Sequence, residues 1–244
     1  MRNYKITIQY DGTSYHGWQV QPNGRTIQGE LTRALSLLDH RSVTVHGAGR
    51  TDAGVHAEGQ VASFLLERDF ELSALRDAIN GNLDHDIRVI DAEHVPPSFN
   101  ARFSAKLKTY RYQIWTSPAV SPFLCRYVYH HRGPLDINQI ERAASALVGT
   151  HDFSAFTVMD SEIEDRVRTL KRLDARREED RIIITAEADG FLRYMVRTIV
   201  GTLIEVGRRR RAAETMPQVL EGRSRANAGA TAPARGLTLV RVGY

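Results

Sequence analysis

Apolar and polar residues follow one another along the chain in two series, each mixing strand-like and helix-like periods. In the first series, alternation with a period of two predicts a strand over Tyr4–Tyr10 that ends at Asp11-Gly12. Apolar residues at helical spacing then predict a helix with Thr26 as its N-cap. The same signals predict strands over Val43–His46, Gln60–Leu66 and Ile87–Ile90 and a helix over Ser73–Gly81.

The second series repeats this mixture of strands and helices. It predicts helices over Ile137–Val148, with Asp136 as the cap, and over the strongly apolar Phe191–Val206. Strands are predicted over Thr109–Trp115, Tyr127–His130, Val167–Ala175, Arg181–Ala188 and Leu237–Val242. The composition of Gly222–Gly236 predicts a basic loop.

The two series divide near Ser104, so we expect an N-terminal half over residues 1–104 and a C-terminal half over 105–244. A chain of 244 residues can bury a sizeable core in this arrangement. Strands joined by short turns and interspersed with helices are typical of antiparallel α+β units. The sequence therefore predicts an α+β fold in which two similar halves share one sheet.

The charge is uneven along the chain. Lysine and arginine number 33 against 29 aspartates and glutamates, for a net charge of +4, and 29 of the basic residues are arginine. From Arg166 to the C-terminus there are 17 basic and 9 acidic residues. Such asymmetry is typical of a surface that binds a polyanion, although a solvated Arg-rich surface has the same composition.

Several classes of protein are disfavoured by composition and motifs. The single cysteine, Cys125, excludes an internal disulfide and a thiolate zinc site, and the nine histidines show no metal-ligand spacing. No apolar run reaches about 18 residues, and Met1–Ile6 lacks the apolar core of a signal peptide. We therefore expect a cytoplasmic protein with no membrane span.

The segment with candidate chemistry spans residues 47–56, Gly-Ala-Gly-Arg-Thr-Asp-Ala-Gly-Val-His. Three glycines between two predicted strands shape a tight loop. The loop is neither a dinucleotide fingerprint nor a P-loop, because the glycine spacing is too long and Val-His replaces Lys-Ser/Thr. It would present Arg50, Asp52 and His56, unless it is only a turn in which Asp52 caps its own backbone.

A second candidate is Arg197, which apolar residues flank in the predicted helix Phe191–Val206. Arg193 lies four residues earlier, on the same face of that helix. A buried guanidinium needs a carboxylate partner, for which the distant Asp52 is a candidate. The alternative is an arginine whose head extends to solvent.

A third candidate is the strand of Lys108-Thr109-Tyr110-Arg111-Tyr112, where Tyr110 and Tyr112 share one face. Aromatic side chains on a sheet beside basic residues are suited to stacking on a nucleotide base. More commonly, such tyrosines belong to the hydrophobic core. The sequence leaves both interpretations open.

These elements belong to an ordered set of motifs that one known family shares. In chain order they are Tyr10-Asp11-Gly12-Thr13-x-Tyr15-x-Gly17-Trp18-Gln19-x-Gln21, Gly49-Arg50-Thr51-Asp52-Ala53-Gly54-Val55-His56-Ala57, Tyr110-Arg111-Tyr112, Gly149-x-His151-Asp152-Phe153-x-x-Phe156, Met195-Val196-Arg197-x-Ile199-Val200-Gly201 and Gly236-Leu237. With them, the chain resembles the TruA family of tRNA pseudouridine synthases essentially from end to end.

The resemblance implies a fold, an activity and partners. The fold would be two α+β halves forming a continuous antiparallel sheet, with helices packed on one side and a basic RNA-binding cleft. The activity would be isomerisation of uridine to pseudouridine at positions 38, 39 and 40 of the tRNA anticodon stem-loop, with the target base flipped out. The family works as a homodimer that binds tRNA across both subunits, and its reaction needs neither cofactor nor metal.

The resemblance also assigns roles to residues. Asp52 matches the catalytic aspartate, Tyr110 the tyrosine that packs on the target uracil, and Arg197 the basic partner of the aspartate. Arg50 matches the arginine that handles the flipped nucleotide, and we expect Thr51 beside it to bind substrate as well. From the charge distribution, we expect contacts with RNA phosphates at Arg208, Arg209, Arg210 and Arg211.

Two alternatives to the isomerase stay open at this stage. One is a non-catalytic RNA-binding module that uses the same surface. The other is a carboxylate-based N-glycosidase, in which Asp52 would assist loss of the base. A glycosidase usually has paired carboxylates at its site, and the segment 47–56 supplies only one.

Overall fold

The computed structural model describes residues 1–158 and 164–244, and the chain divides into two compact units. The first unit comprises Met1–Lys106 together with Thr238–Tyr244, and the second comprises Leu107–Leu237. Strands and helices mix in both units, and most strand pairs are antiparallel. The predicted α+β class is confirmed.

The first unit is built on an antiparallel sheet in which β1 lies between β3 and β4. The short β2 pairs antiparallel with β3, and β10 from the end of the chain pairs with β3 in parallel at Thr238–His56 and Leu239–Ala57. The elements of this unit are β1 (Arg2–Tyr10), α1 (Ile27–Asp39), β2 (His46–Gly47), β3 (His56–Leu66), α2 (Leu72–Gly81), β4 (Ile87–His94) and β10 (Leu237–Gly243).

Local sequence explains the first two elements of this unit. In β1, the alternation places Tyr4, Ile6 and Ile8 in the core, where all three are fully buried. The α1 helix begins where the Thr26 side chain accepts a hydrogen bond from the Gly29 N–H at 3.2 Å. These elements lie where the sequence predicts them.

The segment Val43–His46 departs from its predicted strand, because only His46 and Gly47 join the sheet. Val43 and Val45 are buried, as the strand pattern implies. Their backbone groups, however, form hydrogen bonds with side chains of α1. The Val43 N–H donates to Ser36 Oγ at 3.0 Å, and Gln28 Nε2 donates to the Val45 carbonyl at 2.8 Å. Polar side chains of α1, and not a neighbouring strand, therefore satisfy this backbone. Apolar periodicity does not show such hydrogen bonds.

The second unit has the antiparallel strand order β5–β9–β8–β7. The short β6 pairs with β5 in parallel, on the side of β5 opposite β9. Its elements are β5 (Leu107–Trp115), β6 (Tyr129–His130), α3 (Ile137–Ser145), β7 (Gly149–Asp152), β8 (Val167–Glu178), β9 (Arg181–Ala188), α4 (Met195–Gly207) and α5 (Met216–Glu221). The sequence patterns miss the short β7 and α5, and they extend β6 and α3 by two or three residues.

The helix predicted over Phe191–Val206 begins only at Met195. Tyr194 stands before it with a φ of 62°, in the left-handed region that interrupts a right-handed helix. Arg193 therefore lies outside α4, and the prediction that it shares a helical face with Arg197 is wrong. Apolar residues continue across this break, so the hydrophobic pattern does not mark it.

No helix within the described ranges is long and apolar enough to cross a membrane.

Candidate active site

The segment 47–56, which we call the Asp52 loop, links β2 to β3 and packs against the turn that follows β1. A Cβ atom on Gly12 would lie 2.0 Å from the Val55 carbonyl oxygen. Gly17 has a φ of +89°, and a Cβ atom there would lie 2.6 Å from the Thr51 carbonyl oxygen. Glycine at both positions lets the two backbones approach closely. The motif containing Gly12 and Gly17 thus forms the support of the Asp52 loop.

Hydrogen bonds hold the backbone of the Asp52 loop at three carbonyls. The Trp18 N–H donates to the Thr51 carbonyl at 3.0 Å, and the Val55 N–H donates to the Asp52 carbonyl at 3.1 Å. The side-chain amide of the fully buried Gln60 donates to the Gly49 carbonyl at 2.9 Å. The backbone on both sides of Arg50 is therefore fixed.

The side chains of the Asp52 loop differ sharply in exposure. Arg50 is exposed and Asp52 is half-buried, and contact of either with a substrate stays a prediction. Thr51 is only 6% exposed, and its hydroxyl lies 2.8 Å from the hydroxyl of Tyr10. The hydroxyl that we expected to bind substrate is directed into the protein.

His56 also lies inside the protein and not on the presented face of the loop. It is 3% exposed and begins β3. Its Nδ1 accepts a hydrogen bond from the Gly12 N–H at 3.1 Å and lies 3.2 Å from a carboxylate oxygen of Asp11. His56 therefore joins the loop to the turn after β1, and the sequence expectation that the loop presents it is wrong.

Tyr10 and Gln60 are functional candidates to which the sequence assigns no role, although Tyr10 opens the first shared motif. Gln60 Nε2 lies 3.4 Å from the Tyr10 hydroxyl, and Tyr10 in turn contacts Thr51. Burial raises the pKa of Tyr10 to about 12, although its hydrogen bonds with Thr51 and Gln60 oppose the shift. Tyr10 therefore keeps its proton at neutral pH. A glutamine inside an apolar strand, together with the place of Tyr10 at the start of a shared motif, is the signal that could have indicated this contact.

In the second unit, Tyr110 lies on β5 and is 7% exposed. Its ring meets that of Phe191 edge to face, with 5.2 Å between centroids. Tyr112 on the same strand face donates its hydroxyl to the Pro233 carbonyl at 2.8 Å, and burial raises its pKa. Tyr112 is a core residue, whereas the role of Tyr110 toward uracil stays a prediction.

Arg197 lies in the first turn of α4 and is half-buried. Its Nε donates to the Ala232 carbonyl at 2.8 Å, and the Ala232 N–H donates back to the Arg197 carbonyl at 3.0 Å. The guanidinium lies 5.2 Å from the centre of the Tyr194 ring, and that of Arg193 lies 5.1 Å from the same ring. These contacts orient the Arg197 side chain, and its pairing with Asp52 stays a prediction.

The basic segment Arg208–Arg211 follows the end of α4. Arg208, Arg209 and Arg210 are exposed. Arg209 pairs with Asp136 at 3.0 Å and thereby lowers the pKa of that carboxyl group, and Arg211 pairs with Glu205 at 3.1 Å. The Arg209 side chain is 80% exposed, and a surface ion pair of this kind contributes little to stability.

The described residues hold no group of three or more His, Cys, Asp and Glu arranged to bind a metal ion.

Comparisons with known proteins place the chain in a family. The family model described as tRNA pseudouridine synthase matches residues 6–104 and 143–244. Among solved structures, a chain of a Cbf5-Nop10-Gar1 complex is similar at a TM-score of 0.39 and 10% identity, over 97% of this chain and 57% of that one. That likeness is too distant to support any argument.

Three relatives named tRNA pseudouridine synthase A are similar along nearly their full lengths. The protein of Halalkalibacterium halodurans is 46% identical over 239 residues, which is 97% of this chain and 90% of the relative. Those of Moorella thermoacetica and Acetivibrio thermocellus are 46% and 45% identical, covering 98% and 100% of both chains. The chain belongs to the tRNA pseudouridine synthase family, a family of isomerases.

Proposed function

We propose that this protein isomerises uridine to pseudouridine at positions 38, 39 and 40 of the tRNA anticodon stem-loop. Membership of the tRNA pseudouridine synthase family is the observation that carries the proposal. The resemblance of the motifs to those of TruA supplies the three positions. The enzyme acts in the cytoplasm as a homodimer that binds tRNA across both subunits.

The reaction rearranges one nucleotide. The bond between N1 and C1′ breaks, the base turns, and C5 bonds to C1′. C5 loses a proton and N1 gains one, so substrate and product have the same atoms. No electron acceptor and no second substrate enter this balance, so we propose a reaction without cofactor or metal.

Asp52 acts as the essential carboxylate and nucleophile in this proposal. A carboxylate must be ionised for that role, and a neighbouring guanidinium favours ionisation. We assign this task to Arg197, whose side chain the Ala232 carbonyl and the Tyr194 ring orient. The fixed backbone of the Asp52 loop supports the assignment, because bond-making steps need a closely defined geometry.

The remaining residues handle the RNA. The target base must leave its stack, at a cost of a few kcal/mol. Tyr110 packs on the flipped uracil, and the exposed Arg50 holds the altered backbone of the RNA. The basic segment Arg208–Arg211 contacts phosphates, which positions the RNA without reading its sequence.

The test is to map pseudouridine in unmodified tRNA transcripts after incubation with the protein. Transcripts with uridine at 38, 39 or 40 should gain pseudouridine there, and matched transcripts with cytidine at those positions should not. The Asp52→Asn variant, which keeps the shape of the side chain, should bind tRNA but form no pseudouridine.

Each other outcome contradicts the proposal in a distinct way. Pseudouridine at other positions would overturn the assignment of the anticodon stem-loop. Release of free uracil would identify an N-glycosidase. Binding without any modification by the native chain would identify an RNA-binding module, and full turnover by Asp52→Asn would remove Asp52 from the reaction.

A further inference from the structure

A buried polar network contacts the Asp52 loop on both sides of Arg50. The Tyr10 hydroxyl lies 2.8 Å from Thr51 Oγ1 and 3.4 Å from Gln60 Nε2. Gln60 Nε2 also donates to the Gly49 carbonyl at 2.9 Å. The network thus joins β1, β3 and the residues that precede and follow Arg50.

Burying these groups is costly unless they bond to one another. Tyr10, Thr51 and Gln60 are 5%, 6% and 0% exposed. An unpaired amide or hydroxyl in the core destabilises a protein, and apolar residues would avoid that cost. A satisfied polar network, however, accepts only one arrangement of its members. Its value lies in the geometry that it imposes on the loop.

That geometry bears on Asp52 through the backbone. Gln60 fixes the Gly49 carbonyl, the Trp18 N–H fixes the Thr51 carbonyl, and Tyr10 fixes the Thr51 side chain. The direction of a Cα–Cβ bond follows from the backbone around it. Holding the chain at Gly49 and Thr51 therefore sets the directions in which the next side chains, Arg50 and Asp52, leave the loop.

We infer that Tyr10, Thr51 and Gln60 form a positioning network for Asp52, and that Thr51 serves the reaction through Tyr10 and not by contacting the RNA. The inference deepens the proposed function and rests on it. It replaces the expected substrate-binding role of Thr51 with a positioning role. It also adds Tyr10 and Gln60 to the residues on which turnover depends.

The experiment compares conservative variants by turnover, tRNA affinity and loop protection. Thr51→Val keeps the side-chain shape and removes the hydroxyl, and Tyr10→Phe removes its partner. Each should lower kcat about ten- to a hundredfold, the size expected for a displaced reacting group, with KM and the tRNA Kd within about twofold of the native values. Thr51→Ser, which keeps a hydroxyl, should restore most of kcat.

The losses of kcat caused by Thr51→Val and Tyr10→Phe should not multiply in the double variant. If both remove the same hydrogen bond, the double variant should lose about as much kcat as the more impaired single variant. The amide hydrogens of Trp18 and Val55, which hold the loop carbonyls, should exchange at least about tenfold faster in both single variants.

Tyr4→Phe is the matched control. Tyr4 is a fully buried tyrosine on the same strand, and its hydroxyl bonds to the Phe70 N–H at 3.1 Å, away from the Asp52 loop. Its removal should leave kcat and the exchange of the Trp18 and Val55 amides unchanged, even if it lowers stability. Equal effects of Tyr4→Phe and Tyr10→Phe would show that general loss of stability, and not positioning, explains the result.

The remaining outcomes are decisive as well. A Thr51→Val variant with unchanged kcat but a raised KM and Kd would show direct contact with the RNA and overturn the inference. Unchanged kinetics and unchanged amide exchange would also overturn it. If Thr51→Val fails to fold, Tyr10→Phe and its amide exchange decide alone. Lack of turnover by the native chain would refute the proposed function, and the exchange measurements would still test the network.

Discussion

The Asp52 loop of the first unit and the basic segment Arg208–Arg211 of the second hold polar side chains in opposite ways. The loop is bound by buried groups, among them Gln60, which is fully buried, and by close backbone contacts at Gly12. The basic segment carries three exposed arginines, Arg208 to Arg210, and the 80% exposed Arg209 pairs with a single carboxylate, that of Asp136.

The difference matches what each region is proposed to do. Moving a reacting group by about 1 Å can cost a hundredfold in rate, so a catalytic carboxylate needs a rigid support. Attraction between arginine and phosphate acts over several ångströms and depends on the number of charges more than on their exact placement. Because the support is held by close backbone contacts, changes there should strongly lower the free energy of unfolding. Changes in the basic segment should affect only RNA binding.

The largest effect is expected for Gly12→Ala. The added Cβ atom would lie 2.0 Å from the Val55 carbonyl oxygen, so the backbone must move apart. We expect the free energy of unfolding to fall by about 3 kcal/mol, the upper end for overpacking, in urea denaturation. Gly81→Ala at the end of α2 is the control, because nothing lies within 4 Å of its added Cβ atom. Equal losses in both variants would refute the tight support.

An alkaline titration should give the next largest effect. Burial raises the pKa of Tyr10 to about 12, above the value near 10 of an unfolded chain. The native state therefore keeps this proton longer, and the resulting stabilisation is complete below pH 10 and is lost as the pH rises through 12. The difference in unfolding free energy between the native chain and Tyr10→Phe should narrow by up to about 3 kcal/mol over this range. A constant difference would contradict the burial of the Tyr10 hydroxyl.

The smallest effect on stability is expected in the basic segment. Arg210→Ala should change the unfolding free energy by less than about 0.5 kcal/mol, as is usual for an exposed site. It should weaken binding of all tRNAs to a similar degree, and the slope of log K against log salt should become shallower by about 1. Arg76→Ala on α2, an exposed arginine paired with Asp77 at 2.9 Å, changes the net charge equally and serves as control. Equal loss of tRNA affinity in both would argue against a specific role for the segment.

Sequence patterns predicted the regular elements well where one local signal dominates. The alternation in β1 and the N-caps Thr26 and Asp136 fix their elements because the interactions involved span only a few residues. The break before α4 escaped prediction, since Tyr194 adopts a left-handed conformation with apolar residues at helical spacing on both sides of it. The absence of a strand at Val43 was not predicted either, because the Val43 N–H bonds to the side chain of Ser36 in α1 and not to another strand.

For the active site, the order of motifs identified the family and pointed to Asp52, Arg50, Tyr110 and Arg197. A motif gives the residues of a loop but not the directions of their side chains. Thr51 and His56 lie inside the motif, yet both side chains are buried and bond to groups near the end of β1. Those partners are more than 40 residues away in the chain, so no local pattern connects them.

The sequence by itself determined the α+β class, the family and the glycine-rich segment that presents Asp52, since these depend on local periodicity and on an ordered set of motifs. Only the tertiary structure decided which residues of that segment face outward. Strands β1 and β3 lie side by side in the sheet, so Gln60 bonds to Tyr10, and the Tyr10 hydroxyl in turn bonds to the inward-facing hydroxyl of Thr51. Hydrogen bonds between buried groups depend on distances in space, and those distances arise only when the strands pair.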